Sequence, residues 1–81
     1  MSDAIEGIRV GVVHGPGGKI KPVWFDLNNR QHRVRQVTNS WRERRGQTSL
    51  IYFHVTDGGA LYELSYNLTN ACWCLEKVEA L

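Results

Sequence analysis

A chain of 81 residues, 42% hydrophobic and 22% charged with three Trp, three Tyr and two Phe, is long enough for one small folded domain. It is too apolar to be disordered and too short for a deep catalytic cleft framed by a second domain. Its formal net charge of +2 excludes a uniformly basic nucleic-acid protein, so any such role must rest on a local patch.

The first residues, 1–7, are acidic and lack both the basic start and the apolar run of a secretory signal. No stretch approaches the roughly 18 apolar residues that a membrane helix needs. The expectation is a soluble cytoplasmic protein with no membrane partner. Ile8, Val10 and Val12 then alternate with Arg9, Gly11 and Val13, which predicts a first strand with one buried face. The cluster His14-Gly-Pro-Gly-Gly-Lys19 ends it as a turn. It is no phosphate-binding loop, because Val13 and Ile20 stand where that motif requires Gly and Ser/Thr.

Residues 20–27 form the second predicted strand, with Val23, Phe25 and Leu27 on one side and Ile20 and Trp24 on the other. Pro22 donates no ladder hydrogen bond, so it belongs at an edge or near the strand's beginning. Asn28-Asn29 turns the chain, since Asn tolerates left-handed backbone. Residues 30–37 make a third strand whose alternation slips by one near Gln36, suggesting a bulge or bend there. Between 38 and 46 the pattern is ambiguous: Asn39 or Ser40 can cap one helical turn ending at Gly46, and an extended arm or a loop anchored by Trp41 fits equally well.

Residues 48–56 and 60–68 flank Asp57-Gly58-Gly59, the strongest hairpin signal in the chain. A two-residue loop on Asp57-Gly58 or Gly58-Gly59 puts Ile51, Phe53 and Val55 on the core face with Tyr62, Leu64 and Tyr66. Leu50, Tyr52 and His54 fall on the other face with Leu61, Glu63 and Ser65, a half-apolar surface that calls for partial cover. After a turn at Thr69-Asn70, residues 72–78 form a last strand. Trp73 and Leu75 share one of its faces; Cys72, Cys74, Glu76 and Val78 share the other.

These elements predict an all-β fold: a small antiparallel meander of five to six strands, with at most one short helical turn near 39–45. The sheet either curls into an SH3-like barrel or stays open and twisted. The whole chain reads as a single small β domain with its core at 8–78.

The succession Arg30-Gln-His-Arg-Val-Arg-Gln-Val37, Trp41-Arg-Glu43, Tyr52-Phe-His-Val55, Gly59-Ala-Leu-Tyr-Glu-Leu64 and Trp73-Cys-Leu-Glu-Lys-Val78 resembles a family of short bacterial proteins of unknown function. The resemblance spans about residues 22 to 78 and rests on spaced aromatic, Val and Leu positions. It departs at Asn70-Ala-Cys72, where a basic or aromatic residue is expected before the closing Trp. It implies a small bacterial domain and assigns no activity.

Charge is the lopsided feature. Residues 30–45 carry six of the ten Lys and Arg against one acid, Glu43, giving that segment +5 and the remainder −3. Arginine forks pair with phosphates and an indole stacks on a base, so Arg33, Arg35, Trp41, Arg42, Arg44 and Arg45 form a candidate nucleic-acid-binding set for DNA or RNA. The plainer alternative is a solvated face whose arginines pair with Glu63, Glu76 and Asp26, or one that meets an acidic protein partner. Cys72 and Cys74 read as reduced thiols acting as small hydrophobes. With His14, His32 or His54 they provide only one arm of a zinc site. No cofactor motif or acid/base pair appears, so no catalytic or metal residue is assigned. The sequence therefore points to a non-catalytic binding module, with a protein-interaction or regulatory subunit as the alternative. Aromatic residues on both faces of several strands would also suit a homodimer.

Overall fold

A computed structural model describes residues 4–81; the first three residues of the acidic N-terminal stretch lie outside them. Eight strands run β1 (Ile5–Ile8), β2 (Val10–His14), β3 (Ile20–Leu27), β4 (Arg30–Arg33), β5 (Gln36–Arg45), β6 (Thr48–Thr56), β7 (Ala60–Asn67) and β8 (Cys72–Ala80). One 3-10 turn, Pro16–Gly18, lies in the Gly-rich connection between β2 and β3. All pairings are antiparallel and form two open sheets, a large one ordered β1-β8-β7-β6-β5 and a small one ordered β2-β3-β4. The open arrangement is thus the one adopted, as two sheets, and the barrel is not.

The chain changes sheet at two points: just inside the start of the first expected strand, where residues 5–7, not expected as strand, join Ile8 in β1, and within the expected strand 30–37. Ile8 pairs with Trp73 in the large sheet and Val10 with Phe25 in the small one, while the Arg9 carbonyl between them accepts from the Asp26 amide at 2.9 Å. The second change comes at two successive amides: Val34 donates to the Val23 carbonyl at 3.0 Å and Arg35 to the Thr56 carbonyl at 2.8 Å. This break at Val34 and Arg35, followed by a bulge between Val37 and Asn39, replaces the single slip expected near Gln36.

Residues 38–46 form no helical turn. Residues 38–45 belong to the ten-residue β5, in register with β6 from Gln36 opposite Thr56 to Arg45 opposite Thr48, and Gly46 lies in the turn that follows. β6 is a core strand with β7 on one side, and β5 satisfies the backbone groups on its other side. Local capping signals at Asn39 and Ser40 lose to that demand.

The central hairpin folds as its pattern dictates. Phe53 opposes Leu64 and Val55 opposes Tyr62, a register that brings Gly58 and Gly59 to the tip. Asn28 and Asn29, both at positive φ, close the β3–β4 hairpin. Pro22 sits near the start of β3, short of the residues that β4 pairs and beside a bulge at Val23 of the same strand, and is fully buried. On β8 the register shifts at Glu76, so Val78 comes opposite Tyr62 and off the face of Cys72 and Cys74 where simple alternation placed it.

Phe25 from the small sheet meets Phe53, Val55, Tyr62, Leu64, Trp73 and Leu75 on the inner face of the large one, and these form the shared core. Gly11 lies directly under the Trp24 indole. A Cβ there would stand 2.0 Å from the indole nitrogen, so only glycine lets β2 and β3 close at that pair.

Candidate nucleic-acid interface

β5 is the end strand of the large sheet, and its alternation sorts the arginine segment onto two faces. Arg42 and Arg44 oppose Ile51 and Ser49 on the inner face; Trp41, Glu43 and Arg45 oppose Tyr52, Leu50 and Thr48 on the outer. All three arginines are exposed. Arg33 is in the small sheet opposite Trp24, and Arg35 lies at the sheet crossing with its guanidinium over Gly58. Of the six residues the sequence singles out, Trp41, Arg42, Arg44 and Arg45 therefore gather on one strand end, and Arg33 and Arg35 stand elsewhere.

The outer aromatic group is well fixed. The Trp41 and Tyr52 rings stack at 5.2 Å with 5° between planes, and Trp41 meets His54 edge-on at 4.8 Å. Trp41 Nε1 donates to Glu43 Oε2 at 3.0 Å, and the Arg45 guanidinium lies 6.0 Å from the Tyr52 ring centre. This is the cover that the half-apolar face requires: Tyr52 is only 2% exposed. Its hydroxyl has no hydrogen-bond partner among the described residues. Burial raises the Tyr52 pKa; Arg45 opposes the rise, and Glu76, Glu43 and Glu63 add to it.

The carboxylates expected to neutralise the arginines are engaged elsewhere. Glu63 accepts from His54 Nε2 at 2.8 Å, Glu76 from the Ser65 hydroxyl at 2.6 Å, and Asp26 lies 3.6 Å from Arg9. Among the described residues no arginine from 30 to 45 has a carboxylate within ion-pair distance.

On the inner side of β5 a cleft of about 340 Å³ opens between that strand and the Gly-rich turn, with Lys19 and Arg42 on its walls and Trp41, Ile51 and Phe53 among its lining. Among the described residues no carboxylate lines it. Sequence reasoning passes over Lys19, because only the folding of the β2–β3 hairpin over the large sheet brings its turn to β5. A second cleft, about 480 Å³, lies against the same hairpin and is lined by Trp24, Tyr66, Trp73, His14 and Arg9. Its arginine already faces Asp26 and the Trp24 ring.

The chain matches no protein-family model, and no curated protein or solved structure was found to be similar to it. The site is accordingly read from its own geometry.

The remaining chemistry-bearing groups are drawn into structural contacts. His32 Nδ1 and the Tyr62 hydroxyl donate to Asp57 Oδ2 at 3.0 and 2.9 Å, while the Gly59 and Ala60 amides donate to Oδ1 at 2.9 and 3.0 Å. Burial works against the Asp57 charge, but the bonds from Gly59, His32, Tyr62 and Ala60 outweigh it and hold the carboxyl well below the usual carboxylate range. Burial, then Asp57, pushes Tyr62 up to about 12. The Cys74 thiol is pushed up to about 11 by burial and then by Glu76, which keeps it protonated and a weak nucleophile at neutral pH. Cys72 is exposed. His32 and His54 are held by Asp57 and Glu63.

Proposed function

We propose that this domain is a non-catalytic module that binds nucleic acid through the far end of β5, with Arg42, Arg44 and Arg45 on phosphates and Trp41 as a stacking surface. The observation that carries the reading is the absence of carboxylate partners for these arginines among the described residues, although seven acids lie outside the segment. An unpaired guanidinium retains its full capacity for bidentate phosphate contact. Arg33 and Arg35 extend the positive field and contribute less.

The test is fluorescence anisotropy with a labelled mixed-sequence oligonucleotide at low and physiological salt. Binding should weaken steeply as salt rises, as release of counterions from about three phosphates requires. Arg42→Glu/Arg44→Glu should abolish it while the fold, read by circular dichroism, persists. Absence of binding at low salt, or affinity untouched by the double reversal, overturns the reading.

A second reading has its own support. β5 ends its sheet, so one row of its backbone groups has no strand partner and could accept an acidic peptide as an added strand. Charged residues on such an edge also prevent pairing between copies. Glutamates preserve that edge protection, so the reversal isolates the sign of charge. Protection of β5 amides by an acidic peptide, with no affinity for oligonucleotides, would favour the protein partner.

A further inference from the structure

We infer that the ligand is a single strand that drapes over the edge of β5, with Lys19 and Arg42 gripping its backbone in the inner cleft and Trp41 stacking on a base outside. The inference rests on the nucleic-acid reading and narrows it to a substrate class.

The alternation of β5 decides between single strand and duplex. Arg42 and Arg44 lie on one face of the sheet, and Trp41 and Arg45 on the other. A duplex is stiff over about 150 base pairs and keeps its bases stacked inside, so it can lie along one face but cannot turn around one edge strand. A single strand bends at each nucleotide and presents bases that stack on exposed indoles. Cations on both faces of one edge strand, with the indole on the outer face beside Arg45, suit the flexible ligand.

The inner cleft supplies the second observation. Lys19, from the Gly-rich turn, and Arg42, from β5, come from elements far apart in sequence and line the same 340 Å³ space, with Ile51 and Phe53 beside them. Two cations over an apolar lining match a phosphate joined to a sugar and base. On the outside, the Trp41 ring is fixed before any ligand arrives by its stack on Tyr52 and its bond to Glu43. Little side-chain freedom remains to be lost on stacking.

The experiment compares a mixed-sequence 12-nucleotide DNA with its own duplex at low salt, using the full chain, Lys19→Glu and Lys21→Glu. Lys19 and Lys21 are both exposed, and Lys21 lies outside the cleft, so the second variant matches the change in net charge without touching the site. The single strand should bind about tenfold or more tightly than the duplex, in line with the stacking contribution of even one base. Lys19→Glu should weaken single-strand binding severalfold more than duplex binding, and Lys21→Glu should weaken both alike. Equal affinity for both forms, or equal effects of the two lysine variants, overturns the inference and leaves the nucleic-acid reading standing. Failure of both forms to bind removes the reading itself.

Discussion

The two ends of the β5–β6 pair treat charge in opposite ways. At the end near Thr56, Asp57 collects two amides, an imidazole and a phenol, and so ties the β6–β7 turn to His32 of the small sheet. At the end near Thr48, Arg42, Arg44 and Arg45 stand exposed with no carboxylate in reach among the described residues, and the Tyr52 hydroxyl is buried without a partner. Satisfaction of every polar group is what holds two sheets in register. The exposed arginines are hydrated and stay available to a ligand, while the buried Tyr52 hydroxyl carries a desolvation cost. The first end therefore serves the fold and the second the proposed function, and substitutions at the two should separate stability from binding.

The largest effect on stability is expected at Asp57. Asp57→Asn removes the charge that four donors converge on and should cost about 2 kcal/mol at neutral pH, the scale of hydrogen bonds to a charged group. Oligonucleotide affinity should be unchanged. The pH dependence follows from the direction of the shift. Because the folded carboxyl lies below its unfolded value of about 3.9, its contribution is complete above that value and is lost as pH falls toward the folded one. Urea titrations of the two proteins should differ most near neutrality and converge below about pH 4. A gap that widens in acid would remove Asp57 from this role.

Tyr62→Phe probes the same junction at smaller scale. The Tyr62 hydroxyl is one of the four donors, and its ring also packs edge-on against Phe25 at 4.8 Å. The substitution keeps the ring and deletes the bond, so the loss should be about 1 kcal/mol. Thermal unfolding reads it directly, and a neutral result would mean that the other three donors suffice.

The contrast between the two ends also shows what was legible in the sequence. The hairpins at Asn28-Asn29 and Asp57-Gly58-Gly59, and the core set of Phe53, Val55, Tyr62 and Leu64, follow from period-two alternation and turn chemistry, and the structure has them. The sheet change at Arg9 was invisible, because an extended chain that exchanges one partner for another can keep its alternation. The change at Val34–Arg35 left only the slip near Gln36, which marks an irregularity and not an exchange of sheets. β5 was ambiguous since Ser40, Arg42 and Arg44 on one face differ little in polarity from Asn39, Glu43 and Arg45 on the other. The arginine cluster was plain from composition. Its lack of partners was not, because it depends on His54, Ser65 and Arg9 reaching the acids. Lys19 was missed for a similar reason: its turn meets β5 only through tertiary folding.

Tyr52→Phe is the sharpest use of the comparison, although its expected effect is the smallest. Tyr52 and Tyr62 are both buried in the same sheet, at 2% and 5% exposure, on opposite faces. The Tyr62 hydroxyl is bonded and the Tyr52 hydroxyl is not, so the same chemical change should act with opposite sign. Removing an unsatisfied buried hydroxyl relieves a desolvation cost and should leave stability unchanged or raise it by about 1 kcal/mol, while the stack with Trp41 is retained. Chemical denaturation of the two Phe variants beside the parent protein measures both signs. Destabilisation by Tyr52→Phe as large as that of Tyr62→Phe would mean that the outer hydroxyl is bonded after all, and the distinction between a satisfied and an unsatisfied end of the sheet would fall.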